Sequence, residues 1–418
     1  MISFLINAFK IIFVLGFLVL IHEGGHFLVA KFFKVKVNEF SIGFGKKLWS
    51  KKKGETEYSL RAFPFGGFVS MLGEEERSDD SRSFSKQKIW KRIAIVAAGG
   101  IVNIIFGLTV YFILIASIGN FASRNIESVT QNYGADLAGI MPGDEIIEVD
   151  GKHVFITKDL NSKLSETGAN EVNLKVKRNG EILNIRVKPT EVKSKSIGIY
   201  FDSNSDNTTK ITYLYDNSPV SGILEIGDTI IEANEEDVRN DYQKLNKIVN
   251  ETEKDLKLKV QRNNDIIDVT VTPMEYSTYY LGVVFKLADK SIGSRLYYAW
   301  FETGNFAISL VDNVKSIFTG GVSVDQMMGP IGISKTVADT STFYDFIYLM
   351  AIVSLSLGIT NLLPFPALDG GKILILIIEA IRRKPLKENT EIWIQMVGFS
   401  LLILLSIYIS YMDVLRFF

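Results

Sequence analysis

The sequence predicts a multi-pass α-helical membrane protein with two small α+β domains inserted between its helices. Hydrophobic residues make up 47% of the 418 positions, four stretches are apolar enough to cross a bilayer, and one polar segment repeats itself. The mean hydropathy of +0.18 is high for a chain in which 22% of the residues are charged. This combination indicates membrane spans joined to a polar region.

The four apolar stretches have about the length that a hydrocarbon core of about 30 Å requires. The first two cover residues 4–29 and 93–118. The third starts near Phe343, is interrupted at residues 361–366 and resumes to Ile381, and the fourth covers residues 392–411. The first stretch has no basic segment before it and no small-residue cleavage site, so we interpret it as an uncleaved anchor.

Lysine and arginine predict the orientation of these spans. Arg382, Arg383 and Lys384 follow the third span. The loop between the first two spans carries many more: Lys31, Lys34, Lys36, Lys46, Lys47, Lys51, Lys52, Lys53 and Arg92. By the positive-inside rule both loops are cytoplasmic, and residues 120–342 lie outside.

The outer segment contains an internal repeat with a constant offset of 84 residues. Pairs at this offset include Gly143-Asp144 with Gly227-Asp228, Arg178 with Arg262, and Gly198 with Gly282. Short β-rich runs and one helical stretch occur in each copy, which predicts two small α+β domains at 120–203 and 204–287. Binding domains and inert spacers both remain open.

An amphipathic segment at 288–342 follows the repeats and precedes the last two spans at 343–418. Its apolar residues keep helical spacing: Phe306, Ala307, Leu310, Val311, Val314, Ile317 and Phe318. Asp312 and Lys315 lie among them, so the helix is expected on the membrane surface rather than across it. Packing against the repeat domains is the alternative.

A candidate metal motif lies near the end of the first span, within residues 1–119. His22 and His26 are four residues apart, so a helix places both imidazoles on one face. That spacing suits one Zn²⁺ ion and leaves Glu23 to act as a general base. The alternative is a helix end whose polar groups face lipid headgroups. Gly24 and Gly25 each cost a helix about 1 kcal/mol relative to alanine, which indicates that a neighbour comes close there.

A third ligand is expected at Asp369, after the proline-broken part of the third span. The chain has no cysteine and only three histidines, and we interpret His153 as a surface residue. Irregular backbone at membrane depth occurs only against protein or a wet cavity, which a hydrolytic site requires. Alternatively Asp369 caps the next helix. Asn361 is expected to bond an oxyanion or to cap its own helix, and Pro364 is a candidate substrate contact.

A hairpin is predicted in the first cytoplasmic loop. Alternating apolar residues precede and follow the turn at Lys51-Lys52-Lys53-Gly54. The first strand ends in Ser41, Ile42, Gly43, Phe44 and Gly45, which we expect to form a free edge that accepts an extended peptide. So much apolar surface suggests a hairpin that dips into the bilayer, whereas the alternative is a small cytoplasmic hairpin.

Taken together, the motifs resemble the site-2 protease family of intramembrane zinc metalloproteases over essentially the whole chain. The resemblance rests on four segments: His22-Glu23-Gly24-Gly25-His26, Ser41-Ile42-Gly43-Phe44-Gly45, Gly329-Pro330-Ile331-Gly332-Ile333 and residues 361–371. It implies Zn²⁺ on His22, His26 and Asp369, with Glu23 as the catalytic acid and base. It also implies that the two repeats are PDZ-like domains.

The same resemblance implies cleavage of single-span membrane proteins of the anti-sigma factor type, and of remnant signal peptides, in envelope stress signalling. The expected location is the bacterial inner membrane, with PDZ-like domains in the periplasm, where they could contact peptides, and the active site in the cytoplasmic half. No basic block predicts nucleic-acid binding. A scaffold with a structural metal and a transporter with a broken helix are the other classes; the retained Glu23 disfavours the scaffold, and the unequal spans disfavour the transporter.

Overall fold

The structure is a computed structural model that describes residues 2–74, 76, 78–201, 208–215, 218–263, 265–319, 328–340 and 342–417. The chain forms two compact units, Met1–Ile118 with Glu302–Leu415 and Gly119–Phe301 with Arg416–Phe418. The first unit contains the apolar helices, and the second contains the polar repeats.

Helices account for most of the first unit. Within the described residues the α-helices are α1 (Ile2–Phe32), α2 (Ile89–Ile118), α3 (Gly134–Leu137), α4 (Thr157–Thr167), α5 (Tyr242–Glu251), α6 (Ile292–Thr319), α7 (Pro330–Asp339), α8 (Phe343–Leu362), α9 (Asp369–Arg382) and α10 (Glu388–Phe417). Four helices are long and apolar enough to cross a membrane: Leu5–Phe32, Ile89–Ile118, Phe343–Leu362 and Asn389–Val414. They overlap the four predicted stretches.

Strands form the hairpin between α1 and α2 and most of the repeats. The described strands are β1 (Val37–Lys53), β2 (Thr56–Met71), β3 (Ala122–Val129), β4 (Glu145–Val149), β5 (Lys152–His153), β6 (Val172–Arg178), β7 (Glu181–Val187), β8 (Thr190–Ser196), β9 (Ile199–Phe201), β10 (Ile211–Leu214), β11 (Thr229–Ala233), β12 (Glu236–Asp237), β13 (Leu256–Arg262), β14 (Asp265–Val271), β15 (Met274–Tyr280) and β16 (Val283–Leu287).

Glycines let the apolar helices approach one another closely. A Cβ at Gly25 of α1 would lie 2.6 Å from the backbone oxygen of Ala98 in α2. A Cβ at Gly107 of α2 would lie 2.8 Å from the backbone oxygen of Ala351 in α8. Small residues at such contacts allow close van der Waals packing between membrane helices. Helix α2 is therefore in tight contact with both α1 and α8.

The predicted break separates α8 from α9 and fixes the start of α9. Ala367 has a φ of +76°, and its N–H donates a hydrogen bond of 2.6 Å to Gln395 of α10. A Cβ at Gly370 would overlap the backbone oxygen of Leu363, so the broken segment lies directly on the first turn of α9. This contact positions Asp369, the first residue of α9.

Helix α7 is held at both ends by side chains of opposite charge. Asp413 of α10 accepts a 2.8 Å hydrogen bond from the N–H of Gly332, in the first turn of α7. Lys10 of α1 donates a 2.7 Å hydrogen bond to the carbonyl of Thr340, just beyond the last turn. A carboxylate at the N-terminus and an ammonium at the C-terminus both favour the helix dipole. Helix α7 therefore connects α1 with α10.

The predicted hairpin is present, but its free edge is not where the sequence placed it. The first half of β1 pairs with two parts of β2, since Ile42 pairs with both Gly67 and Leu60. Ser41 is likewise paired with two residues of β2. The expectation of a free edge beginning at Ser41 is therefore wrong, because backbone groups there are used on both sides. Within the described residues, 67–71 of β2 pairs only with β1 and forms an edge.

The glycines of the predicted edge serve the hairpin itself. Gly43 and Gly45 have φ of +86° and +85°, and a Cβ at Gly43 would lie 2.5 Å from the backbone oxygen of Phe63 in β2. Phe44 also pairs with Phe63. The close backbone approach that these glycines indicated is therefore confirmed, but its partner is the returning strand.

The second unit contains two hydrophobic cores. Each core is built mainly from one copy of the repeat, but it includes the last strand of the other copy. Leu281, Val283 and Phe285, from the second copy, pack into the first core with Ile146 and Leu174. In exchange, the end of the first copy packs into the second core through Ile197, Ile199 and Phe201. Strand pairing agrees, since β16 pairs with β3 and β9 pairs with β10.

The exchange changes how the repeats divide into folded parts. The predicted boundary between residues 203 and 204 lies outside the described residues. On either side of it, β9 belongs with the second core, and β16 belongs with the first. Strands β8 and β15 pair with each other and join the two copies.

The 84-residue offset corresponds to the same ion pair in each copy. Asp144 is buried, and Arg178 binds it through 2.7 and 2.8 Å hydrogen bonds. Asp228 is buried as well, and Arg262 binds it at 2.9 and 2.8 Å. The guanidinium of Arg178 holds the pKa of Asp144 below its ordinary value. The repeated residues thus stabilise the fold of each copy.

The predicted amphipathic segment is helical over α6. Phe306 stacks on Tyr111 of α2 with ring centroids 4.2 Å apart. Phe301 stacks on Phe155, beside the first core, at the same distance. Ile308 and Val311 stay exposed. The described rings show packing against protein, and placement on a membrane surface remains a prediction.

Candidate metal centre

The three predicted ligands come together, although they belong to different parts of the chain. His22 and His26 lie one turn apart on α1, and Asp369 opens α9. The two Nε2 atoms are 3.2 Å apart, and Asp369 Oδ2 lies 3.3 Å from His22 Nε2 and 3.4 Å from His26 Nε2. These three atoms form a nearly equilateral triangle.

The triangle has the dimensions of one tetrahedral zinc site. Zinc binds imidazole nitrogen and carboxylate oxygen at about 2.0–2.1 Å, which places neighbouring tetrahedral ligand atoms about 3.3 Å apart. The observed separations of 3.2, 3.3 and 3.4 Å agree with that value. Three protein ligands leave a fourth position open, which is the arrangement of catalytic rather than structural zinc.

Burial supports the same conclusion. Both histidines are 8% exposed, and Asp369 Oδ2 is buried without a hydrogen-bond partner among the described residues. A buried carboxylate oxygen without a donor is costly unless a cation or proton satisfies it. The backbone cap of α9 is Leu368, and the Asp369 side chain makes no capping hydrogen bond. These observations favour the metal-ligand interpretation of Asp369 over the capping alternative.

Helix α2 orients the two imidazoles. His26 Nδ1 lies 2.9 Å from the backbone oxygen of Ile95, so its N–H donates there and Nε2 carries the free lone pair. The Asn103 amide lies 3.5 Å from His22 Nδ1 and is fully buried. The sequence patterns did not predict this contact of Asn103 with His22. The available signal was an amide side chain within an otherwise apolar span.

Two glycines make room for the ligands, and a third does not. A Cβ at Gly99 of α2 would lie 2.7 Å from His26 Cε1 and 2.8 Å from His22 Cε1. Gly25 faces Ala98 at similarly short range, which confirms the close approach expected there. A Cβ at Gly24 would meet open space, so the expectation is wrong for Gly24.

Glu23 lies beside the edge of the hairpin. A Cβ on Gly67 would be 3.5 Å from Glu23 Cγ and 2.7 Å from the backbone oxygen of Ser41. Glu23 therefore lies between the ligand triangle and the strand 67–71.

The remaining predicted site residues lie around this centre. Asn361 is half-buried in the last turn of α8, and Pro364 is exposed in the break that precedes α9. Ile42, Gly43, Phe44 and Gly45 belong to β1, where Ile42 pairs with β2 on both sides and Phe44 pairs with Phe63. A role for Asn361 and Pro364 in binding substrate stays a prediction.

A cavity of about 600 Å³ reaches the centre from the side of α10. Asp369 and Lys372 of α9 line it together with Gln395 and Met396 of α10. A second groove of about 660 Å³ follows residues 68–73 along the free edge. The cavity reaches the centre at Asp369, and the groove ends at Glu74 and Lys372, which also line the cavity.

Comparison with known proteins identifies the family. The sequence model of peptidase family M50 matches residues 10–405. The chain belongs to this family. Zinc metalloprotease RasP of Bacillus licheniformis is 30% identical over 444 residues, which cover 98% of this chain and 99% of the relative. The regulator of sigma E protease of Haemophilus influenzae is 30% identical over 448 residues, covering 99% and 100%.

The chain is also similar to another curated protease and to a solved PDZ domain. The regulator of sigma E protease of Salmonella typhi is 31% identical over 440 residues, which cover 97% of each chain. Among solved structures, the HtrA3 PDZ domain bound to a phage-derived ligand matches 21% of this chain and 93% of its own, with 25% identity and a TM-score of 0.18.

Family membership fits the geometry of the centre. This member of peptidase family M50 is a zinc metallopeptidase of regulated intramembrane proteolysis, and its four apolar helices make it a bacterial inner-membrane protein. The scaffold and transporter alternatives are therefore set aside. The nitrogen and oxygen donors of the triangle are those that zinc takes in catalytic sites.

Proposed function

We propose that this peptidase hydrolyses peptide bonds within the membrane-spanning segments of single-span proteins. Anti-sigma factors are the proposed main substrate type in envelope stress signalling, and remnant signal peptides are a second type. One observation carries the proposal: His22, Glu23 and His26 lie on a helix that is apolar enough to cross a membrane, and Asp369 completes the triangle from the helix that follows the broken segment. Relatives named regulator of sigma E protease support the substrate type.

In the proposed mechanism His22, His26 and Asp369 hold the zinc ion. Zinc bound there would polarise the scissile carbonyl and lower the pKa of water toward about 7. Glu23 takes a proton from the attacking water and delivers it to the leaving amine, so that one carboxyl and one amino terminus form. The Ile95 carbonyl keeps His26 in the required tautomer. Asn361 is proposed to donate a hydrogen bond to the oxyanion.

Substrate is proposed to dock on the free edge of the hairpin, residues 67–71 of β2. Residues 67–71 leave backbone groups unpaired on one side, and Gly67 lies beside Glu23. A substrate helix must unwind before hydrolysis, and unpaired amides in lipid cost several kcal/mol each. Strand addition at this edge would offset that cost by accepting the freed groups. Ile42, Gly43, Phe44 and Gly45 then shape the hairpin rather than pair with substrate.

The sidedness of the protein is also proposed. Lysines and arginines support a cytoplasmic location for the hairpin and the α9–α10 turn, with the active site in the cytoplasmic half of the membrane. Exposed Phe44, Trp49 and Phe63 suit a hairpin that dips into lipid. The repeats are then periplasmic PDZ-like domains, where they could contact substrate peptides.

A reconstituted reaction tests the proposal. The purified protein is mixed with a tagged single-span substrate, with and without a zinc chelator, and the products are separated by electrophoresis. We expect cleavage that stops with chelator and returns when zinc is added back. Chelator-insensitive cleavage, or none in a zinc-loaded preparation, would overturn it. A soluble unfolded peptide carrying the same cut site serves as the control for unwinding.

A further inference from the structure

An ion pair stands beside the metal centre without a role in the proposed chemistry. Lys372 Nζ lies 2.7 Å from Glu74 Oε1, and each side chain is about one-fifth exposed. Lys372 is one helical turn beyond Asp369 on α9, so both residues lie on the same face. The Lys372 ammonium also lies 5.2 Å from the ring centroid of buried Phe84. Phe84 thus fixes the direction of Lys372.

This ion pair marks the border between the groove along the edge strand and the cavity that contains Asp369. Glu74 and Lys372 line the 660 Å³ groove along residues 68–73. The same two residues line the 600 Å³ cavity that contains Asp369. Glu74 follows the edge strand, whereas Lys372 belongs to the helix that carries the third ligand. The pair therefore connects the docking strand with the metal-binding helix.

An extended substrate has to pass this border. A peptide that pairs with residues 67–71 and presents a bond to the ligand triangle occupies both spaces at once. The closed ion pair bridges them, because Glu74 and Lys372 each line both spaces and their charged groups are 2.7 Å apart. A chain crossing from one space to the other must displace the Lys372–Glu74 contact.

We infer that the Glu74–Lys372 ion pair is a latch that substrate opens on entering the site. The inference rests on the proposed function and names two positioning residues rather than catalytic ones. A pair of this exposure opens readily, since its net contribution corresponds to a factor of about two to five in an equilibrium constant. Because substrate must break the ion pair to enter, the pair lowers the apparent affinity for substrate by that factor. The chemical step is unchanged.

The test separates an effect on substrate binding from an effect on the chemical step. Steady-state cleavage of the tagged single-span substrate is measured for Glu74→Gln, Lys372→Met, and the exchanged variant Glu74→Lys with Lys372→Glu. Substrate affinity is measured directly with the same changes in a Glu23→Gln background, where the substrate stays uncut. Zinc content is determined for every variant. Lys31→Met is the matched control, because it removes a 2.6 Å ion pair with Glu55 that borders neither space.

The latch predicts a lower KM and tighter binding by about two- to fivefold in both single variants, with kcat and zinc content unchanged. The exchanged variant restores the ion pair with reversed charges and returns KM toward the original value, and Lys31→Met has no effect. Unchanged KM and affinity in the single variants overturn the latch. An exchanged variant whose KM stays as low as that of the single variants overturns it as well. A loss of zinc in either single variant assigns the pair to structure instead. If the unaltered protein binds zinc but cuts nothing, the proposed function fails separately.

Discussion

Replacing Gly99 by alanine tests whether α2 shapes the metal centre. The added Cβ would overlap His26 Nε2 and lie 2.7 Å from His26 Cε1 and 2.8 Å from His22 Cε1, whereas ordinary contacts begin at 3.4 Å. The His26 ring must therefore move by at least about 0.7 Å if the backbone stays in place. Zinc sites tolerate deviations of about 0.2 Å in ligand distance. Disturbing groups that only orient ligands already costs about 10- to 100-fold in metal affinity, so we expect at least that loss.

Gly24→Ala is the matched control for this substitution. Both glycines lie inside helices, and either alanine improves helix propensity by about 1 kcal/mol. The Cβ at Gly24 meets open space, so zinc affinity should stay within about twofold of the original. Zinc is counted by mass spectrometry after dialysis against buffered chelator, and circular dichroism verifies folding. A folded Gly99→Ala protein with unchanged zinc affinity would refute the geometry of the centre.

Four further outcomes follow from described contacts. Glu23→Gln should keep zinc and lose cleavage, because it removes the base and no ligand; zinc content and product formation are measured together. Asp369→Ala should lower zinc occupancy as well as activity, whereas normal occupancy would return Asp369 to a capping role. Asn103→Leu should weaken zinc binding about 10-fold or more by releasing His22, which competition with a chelator measures. Arg178→Ala should destabilise the first repeat by about 1.5–3 kcal/mol in thermal unfolding, because buried Asp144 loses its charged donor.

The loss of stability caused by Arg178→Ala depends on pH in a defined direction. Arg178 holds the pKa of Asp144 below its ordinary value of 3.8. The folded carboxylate therefore binds a proton less readily than the unfolded one, and its stabilisation is fully present above the unfolded pKa. We expect the difference between the original protein and Arg178→Ala to shrink as the pH falls below about 3.8. A difference that grows in acid would contradict this assignment.

The clustering of His22, His26 and Asp369 was predictable because each residue carries a strong local signal. His22 and His26 have helical metal spacing, and Asp369 follows a proline-broken apolar segment. The groups that orient them were not predictable in this way. The Ile95 partner is a backbone carbonyl, which no side-chain pattern marks, and Asn103 faces His22 only through the packing of α1 on α2.

The pairing of the strands was the second feature that could not be fully predicted from the sequence. Alternating apolar residues predicted the hairpin, but the free edge depends on register, and Ile42 gains a second partner where β2 bends back at Gly67. The repeat offset predicted two equivalent copies. It could not show that β9 and β16 are exchanged, because each core can accept the equivalent strand of either copy.

The position of the cut tests the central claim most directly. A tagged single-span substrate is incubated with the zinc-loaded protein in detergent, and mass spectrometry of both fragments locates the broken bond. We predict a bond inside the membrane-spanning segment, with no fragments from Glu23→Gln although that variant holds zinc. Fragments that end outside the segment, or equal yields from Glu23→Gln, would contradict intramembrane hydrolysis at the His22, His26 and Asp369 centre.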